Sequence, residues 1–164
     1  MMTGKLIFFC GKMGAGKSTK AREVAVENSA VLLSEDEWLE SLYPQEITSL
    51  EDYVTYSNRL KPEVKKLVQS ILGAGTNVVM DFPANTISQR EWFRGIFSGA
   101  GSRHELFYLD VSDERCLQQI SKRRISQPER ARTDTKEMFE KVTRYFVEPH
   151  PSEKFNVVVI RANC

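Results

Sequence analysis

The stretch Gly11-Lys12-Met13-Gly14-Ala15-Gly16-Lys17-Ser18 governs how the rest of the chain is read. It satisfies G-x-x-x-x-G-K-[ST] at every fixed position. The apolar run Leu6-Ile7-Phe8-Phe9-Cys10 precedes it as a buried strand would. Ala21, Val24 and Ala25 follow on one face of a helix that begins near Lys17. Small residues let backbone N–H groups curl around phosphate oxygens, and the helix N-terminus adds a favourable dipole. The nucleotide-binding set read here is Gly11, Lys12, Met13, Gly14, Ala15, Gly16, Lys17, Ser18 and Thr19. Lys17 would reach the β and γ phosphates, and the Ser18 hydroxyl would bind Mg²⁺. A glycine-rich turn with a chance Lys-Ser is the plainer alternative, and strand before with helix after argues against it.

Four further apolar runs are nearly continuous, as in parallel strands buried on both faces. They are Ala30-Val31-Leu32-Leu33, Val78-Val79-Met80, Leu106-Phe107-Tyr108-Leu109 and Val157-Val158-Val159-Ile160. Helical patterns separate them. Val64, Leu67, Val68 and Ile71 repeat at helical spacing, ended by Gly73 and Gly75, and Pro62 is expected to divide the 50–72 region into two pieces. Ser88-Gln89-Arg90-Glu91 reads as a capping box opening a helix with Trp92, Phe93, Ile96 and Phe97 facing the core. Ser112-Asp113-Glu114 starts another helix. Met138, Phe139, Val142, Tyr145 and Phe146 mark a last one, stopped by Pro149 and Pro151. The alternation predicts one α/β domain spanning 1–164, with parallel strands and right-handed crossovers.

At 164 residues the chain can bury a sizeable single core. A net charge of +1 gives no bulk attraction to nucleic acid or membrane, but the charges are unevenly placed. Between Glu35 and Glu63 eight acids face two bases, Arg59 and Lys61; between Lys122 and Arg132 five bases face one acid, Glu129. Cys10, Cys116 and Cys164 have no metal-site spacing and make an odd count, which fits a reducing cytosol. No apolar run approaches the ~20 residues that span a bilayer, and the start lacks a signal peptide's pattern. A cytoplasmic protein without a membrane partner is expected.

A nucleotide-bound Mg²⁺ also wants a carboxylate beyond a neighbouring strand. Asp81, after Val78-Val79-Met80, is preferred to Asp110, which sits just before a helix cap. A guanine-reading N-K-x-D and a D-x-x-G switch are both absent from the sequence. The chain resembles the small P-loop kinases, a group containing nucleoside monophosphate, shikimate, gluconate and polynucleotide kinases. It is more closely similar to the bacterial predicted kinases known as AAA-domain ATP-binding proteins. The residues that carry this likeness are Gly11–Ser18, Ser34-Glu35-Asp36 and Val78-Val79-Met80-Asp81-Phe82-Pro83-Ala84-Asn85-Thr86. It continues through Arg123-Arg124, Pro128-Glu129-Arg130-Ala131-Arg132 and Phe146-Val147-Glu148-Pro149. The resemblance implies a P-loop NTPase three-layer sandwich with a five-stranded parallel sheet in the order 2-3-1-4-5. It also implies ATP as nucleotide, a basic lid, and an acceptor site above strands 2 and 3. Asp81-Phe82-Pro83-Ala84 departs from the D-G-[FY]-P-R of adenylate kinases, and there is no Gly-Gly-Gly run of shikimate kinases.

Polynucleotide kinases and zeta-type toxins use an acid just after the second strand as base, and by that resemblance Asp36 is the match. All three acids from Glu35 to Glu37 can equally be first-turn charges behind a Ser34 cap. Trp38 either lines the acceptor pocket or packs in the core. Arg59 either holds an acidic acceptor or forms a surface ion pair. Asn85 and Arg90, after the third strand, are candidates for the substrate rim, where Thr86 or Ser88 can also serve as caps. The basic run 122–134 reads as a lid over ATP, with Arg123 and one of Arg130 and Arg132 on the phosphates. Lys17, Asp36, Arg123 and Arg132 form the expected catalytic set, Ser18 and Asp81 the metal set. His104 and His150 offer no spacing that makes a site.

The reading is an ATP- and Mg²⁺-dependent phosphotransferase acting on a hydroxyl of a small molecule, as a monomer or homodimer. A nucleotide-binding regulatory ATPase and a polynucleotide 5′-kinase are the alternatives, with a zeta-like toxin behind them. The acidic 35–63 region is a poor track for a polyanion, so nucleic acid is not the expected partner.

Overall fold

Leu6, Phe8 and Cys10 of the first strand turn to one side and Ile7 and Phe9 to the other, and all five are inaccessible to solvent. A strand sealed on both faces needs helices above and below it, and the computed structural model supplies them. It describes residues 2–161, apart from the side chain of Arg132; Cys164 lies outside the described residues. The strands are β1 (Leu6–Cys10), β2 (Val31–Ser34), β3 (Val78–Pro83), β4 (His104–Asp110) and β5 (Val157–Arg161). All pairs are parallel and the order is β2-β3-β1-β4-β5, the P-loop NTPase arrangement. On the Phe8 side lie α2 (Glu35–Leu42), α3 (Leu50–Gly73) and α4 (Ile87–Ala100). On the Phe9 side lie α1 (Lys17–Glu27), α5 (Asp113–Ser126) and α6 (Lys136–Thr143). Among the described residues no helix is long and apolar enough to cross a membrane.

The larger core joins α3 to α4 over the sheet. Leu60, Val64, Val68 and Leu72 form the buried stripe of α3, while Leu67 is 40% exposed, so the inward face is turned slightly from the expected one. Phe93, Ile96 and Phe97 come from α4, and Phe8 stacks on Phe93 with ring centroids 4.4 Å apart. His104 stacks on Phe97 at 3.9 Å, and its Nε2 accepts from the Asn156 N–H. That ring is packing, not chemistry.

Four sequence expectations are corrected. Pro62 does not divide α3, which runs unbroken for 24 residues; proline forgoes one i−4 hydrogen bond, and the packed stripe carries the helix through. The cap of α4 is Thr86, not Ser88: the Thr86 hydroxyl accepts from Gln89 N–H, and the Gln89 side chain accepts from Thr86 N–H. The last helix stops at Thr143, short of Tyr145 and Phe146, and the chain beyond it is tied back by the Val147 N–H on the Asn85 carbonyl. Finally, β5 is an edge strand, with Val158 and Val159 at 36% and 48% exposure.

Two buried charges lock the helices of the Phe8 side. Glu35, 2% exposed, accepts from the hydroxyls of Tyr53 and Ser57, the latter at 2.8 Å, and so ties α2 to α3. It stands in the first turn of α2 behind the Ser34 cap, as expected of a helix-start acid, but buried. Burial pushes its carboxyl above the ordinary value, with the two hydroxyls opposing. Arg90 was expected at the substrate rim, yet no part of it reaches solvent. Its Nε donates to Glu153 at 2.9 Å and its Nη1 to the Ala84 carbonyl at 3.0 Å, joining α4 to the segment before β5.

Removing one partner of a buried pair strands the other. Glu153→Ala should lower the unfolding free energy by about 3 kcal/mol, and Arg90→Met with Glu153→Gln by less than that, as read from urea denaturation. Glu35 contributes stability that is full below its unfolded value of 4.5 and is lost as pH rises through its raised folded value. Glu35→Gln should therefore gain on the wild type as pH rises above 4.5 in the same measurement; parallel curves would contradict the burial argument.

Candidate functional site

At the C-terminal end of the sheet the chain leaves β1 for the Phe9 side through α1, and leaves β3 for the Phe8 side through α4. The crevice between two such departures is where open α/β sheets bind ligands. Gly11 opens the loop on its floor. Gly14 and Gly16 have φ of 82° and 99°, the left-handed region that favours glycine. A Cβ at Gly14 would sit 2.6 Å from the Cys116 carbonyl oxygen and 2.8 Å from Ile120 Cγ1, so the loop tip rests directly on α5. Gly11 N–H donates to Asn85 Oδ1 at 2.9 Å, a bond across the crevice from the β3 side. Asn85 is thus an anchor of the loop, not the substrate contact expected from its position.

Lys17, the first residue of α1, bends back so that its ammonium donates to the carbonyls of Gly11 and Lys12, the second at 3.1 Å. Burial pushes it below the usual lysine range, and the Asp81 carboxylate is the largest opposing influence. Ser18 Oγ donates to Asp81 Oδ2 at 2.6 Å. Asp110 instead faces Arg161 at 3.4 Å, away from this pair. The side chain of Lys12 is committed to Asp113 at 2.7 Å, which leaves its backbone to the loop; Met13 packs on the core and Thr19 is exposed.

Asp81 reaches Ser18 through an irregularity in β3. Phe8 pairs with Met80 but Phe9 pairs with Pro83, so Asp81 and Phe82 bulge out of the β1 ladder. Bulges beside functional sites re-aim side chains. On its other edge Asp81 pairs with Ser34, whose hydroxyl caps α2 through the Glu37 N–H, and the next acids are Glu35 and Asp36. Burial lifts the Asp81 carboxyl, the Ser18 bond opposes this, and the charge of Asp36 lifts it further. Asp36 itself is exposed and, among the described residues, takes no hydrogen bond or ion pair.

Around Asp36 the acceptor-side residues are distributed unevenly. Trp38 is partly buried and packs against the core, the second of its two expected placements. Arg59 is exposed, with its guanidinium 5.0 Å over the Tyr56 ring and, among the described residues, no carboxylate within ion-pair range. Lys61, which the sequence did not single out, lies over Trp92 at 5.2 Å; burial lowers its ammonium, and Glu35 opposes that. Its signal was an isolated cation one helical turn beyond Ser57. On the opposite side, Arg123 and Arg130 both pair with Asp134, an acid 1% exposed. Arg130 and Asp134 are four residues apart, a spacing legible in the sequence and overlooked there. The Arg132 side chain lies outside the described residues. Burial pushes the Cys10 thiol up to about 12 and raises that of Cys116, so neither is a nucleophile.

A family model described as "AAA domain" matches residues 6–149. Similar solved structures include Kti12 of Chaetomium thermophilum in complex with ADP-AlF3, at 18% identity over 95% of this chain and 88% of that one, TM-score 0.68. Another is the APS kinase CysC of Mycobacterium tuberculosis in complex with AMPPNP and APS, at 18% identity over 100% and 91%, TM-score 0.63. A gluconokinase from Sinorhizobium meliloti aligns at 14% identity over 98% and 84%, TM-score 0.61. At such identities the likeness is one of fold. No curated protein matches the sequence. The matched span runs from the first residue of β1 past α6 and takes in the whole phosphate loop, so the chain belongs to the AAA-domain family and has the P-loop fold shared by small kinases.

Proposed function

We propose that this protein is an ATP- and Mg²⁺-dependent phosphotransferase that moves the γ-phosphate of ATP to a hydroxyl of a small molecule in the cytoplasm, acting as a monomer or homodimer. The observation that carries the reading is one of register: Asp81, which holds Ser18 of the phosphate loop, pairs with Ser34 across β3 and β2, and Asp36, a carboxylate unpaired among the described residues, follows Ser34 by two residues in the first turn of α2. A proton acceptor thus stands beside a phosphate site. A nucleotide in that site is supported by relatives whose structures hold ADP-AlF3 and AMPPNP.

The Ser18–Asp81 donor set is all oxygen, which fits Mg²⁺; these two residues would hold the ion, which when bound neutralises phosphate charge. Loop N–H groups bind the β and γ oxygens, and Lys17 exchanges a backbone carbonyl for a phosphate oxygen. Asp36 accepts the proton of the acceptor hydroxyl as that oxygen bonds to the γ-phosphorus. The bond from γ-phosphorus to the bridging oxygen breaks, and ADP leaves with its electron pair. Arg123, Arg130 and Arg132 form the lid side. The acceptor lies toward Arg59 and the α2–α3 face, whose acids disfavour a polynucleotide.

A panel of hydroxyl-bearing small molecules, assayed for ADP release with ATP and Mg²⁺, should show turnover that depends on one acceptor class. Equal slow release with every acceptor would favour a regulatory ATPase, and salt-sensitive oligonucleotide binding a polynucleotide kinase. Asp36→Asn should cut acceptor-dependent turnover by about 10²–10⁴-fold with ATP affinity unchanged by calorimetry; lost ATP binding would place that acid in the nucleotide shell instead. Asn85→Ala leaves Gly11 N–H unpaired and should weaken ATP binding about tenfold without abolishing the fold, as seen by titration beside a melting curve.

A further inference from the structure

Asp134 is more deeply buried than any other acid among the described residues, and two lid arginines meet on it. Arg123 donates through Nε at 2.6 Å and Nη2 at 2.8 Å, and Arg130 through Nε at 2.8 Å. The acid is itself fixed: its N–H donates to the Arg130 carbonyl at 2.7 Å, and the next residue, Thr135, caps α6. Both arginine side chains stay partly open, at 30% and 31% exposure. A guanidinium carries five N–H donors, so a side-on grip through Nε leaves Nη groups on each arginine free to bind an anion.

The orientation of α5 says where one of them points. Cys116 and Ile120 pack under Gly14, and the Gln119 side chain lies 3.9 Å from where a Gly16 Cβ would be. Arg123 follows Gln119 by four residues and Ile120 by three, so it is the next side chain on the face that meets the phosphate loop. Two guanidiniums this close repel one another. One carboxylate between them holds the pair together and still leaves a net positive charge.

We propose that Asp134 is a positioning residue that preorganises Arg123 and Arg130 to receive the charge of the phosphoryl group in transfer. Its role in turnover rests on the phosphotransferase reading. Its effect on binding a transition-state mimic does not, because no acceptor is needed for that. The competing description is a structural clamp between α5 and α6.

The test is equilibrium binding of ADP, alone and with aluminium fluoride, in Mg²⁺ buffer to the full chain. Asp134→Asn should weaken binding of the aluminium fluoride complex by about tenfold or more while ADP alone changes by less than about twofold. In an Arg123→Ala/Arg130→Ala background the same substitution should have no further effect, because the carboxylate acts through those side chains. Equal losses for both ligands, an undiminished effect in the double-arginine background, or a drop in melting temperature alone would each overturn the proposal in favour of the clamp. If the wild type turned over no acceptor yet Asp134→Asn still lost the mimic selectively, the phosphotransferase reading would fail and this inference would stand.

Discussion

With both faces of β1 sealed against helices, the strand can occupy only the middle of the sheet, between β3 and β4. Its C-terminus then lies where α1 and α4 depart to opposite sides, and the backbone there has no neighbouring strand to satisfy it. Gly11 N–H finds Asn85, and the Lys17 ammonium occupies the carbonyls of Gly11 and Lys12. An anion-binding loop follows from these accounts: the sheet ends, the donors remain, and the glycines let them converge.

Buried charge organises the rim around that loop. Glu35 ties α2 to α3, Arg90 ties α4 to the segment before β5, and Asp134 ties Arg123 and Arg130 to the start of α6. Removing Glu153 from the fully buried Arg90 guanidinium would leave an uncompensated charge, at a cost of order 3–5 kcal/mol. Each of these buried charges constrains two elements at once. The groups given chemical roles whose side chains are described, Asp36, Arg123 and Arg130, are neighbours of these fixed points and keep access to solvent themselves.

The phosphate loop was legible because its signal is local. Eight consecutive residues, a strand before them and a helix after them specify the geometry without distant partners. Continuous apolar runs likewise announced parallel strands, although Val157–Ile160 looked as buried as Leu6–Cys10; hydropathy does not say which strand lies at an edge. Arg90 and Asn85 were misplaced for a different reason. Both follow β3, where substrates commonly bind, but their partners Glu153 and Gly11 are 63 and 74 residues away. Glu35 was indistinguishable from Asp36 in a run of acids, since only the arrival of Tyr53 and Ser57 from another helix sets them apart. Pro62 was given too much weight as a helix breaker, because one missing hydrogen bond is small beside the packing of Leu60, Val64, Val68 and Leu72.

That uninterrupted helix has a mechanical consequence. Pro62 cannot donate to the carbonyl four residues before it, so α3 carries a built-in joint near the midpoint of its length. Beyond the joint, Val64, Val68 and Leu72 lie in the core; before it, Leu60 lies in the same core, with Tyr53 and Tyr56 packed against it. The front half thus carries one attachment more than the rear half, to α2 through Glu35. Any bend at that point would therefore carry α2 along with the front half of α3.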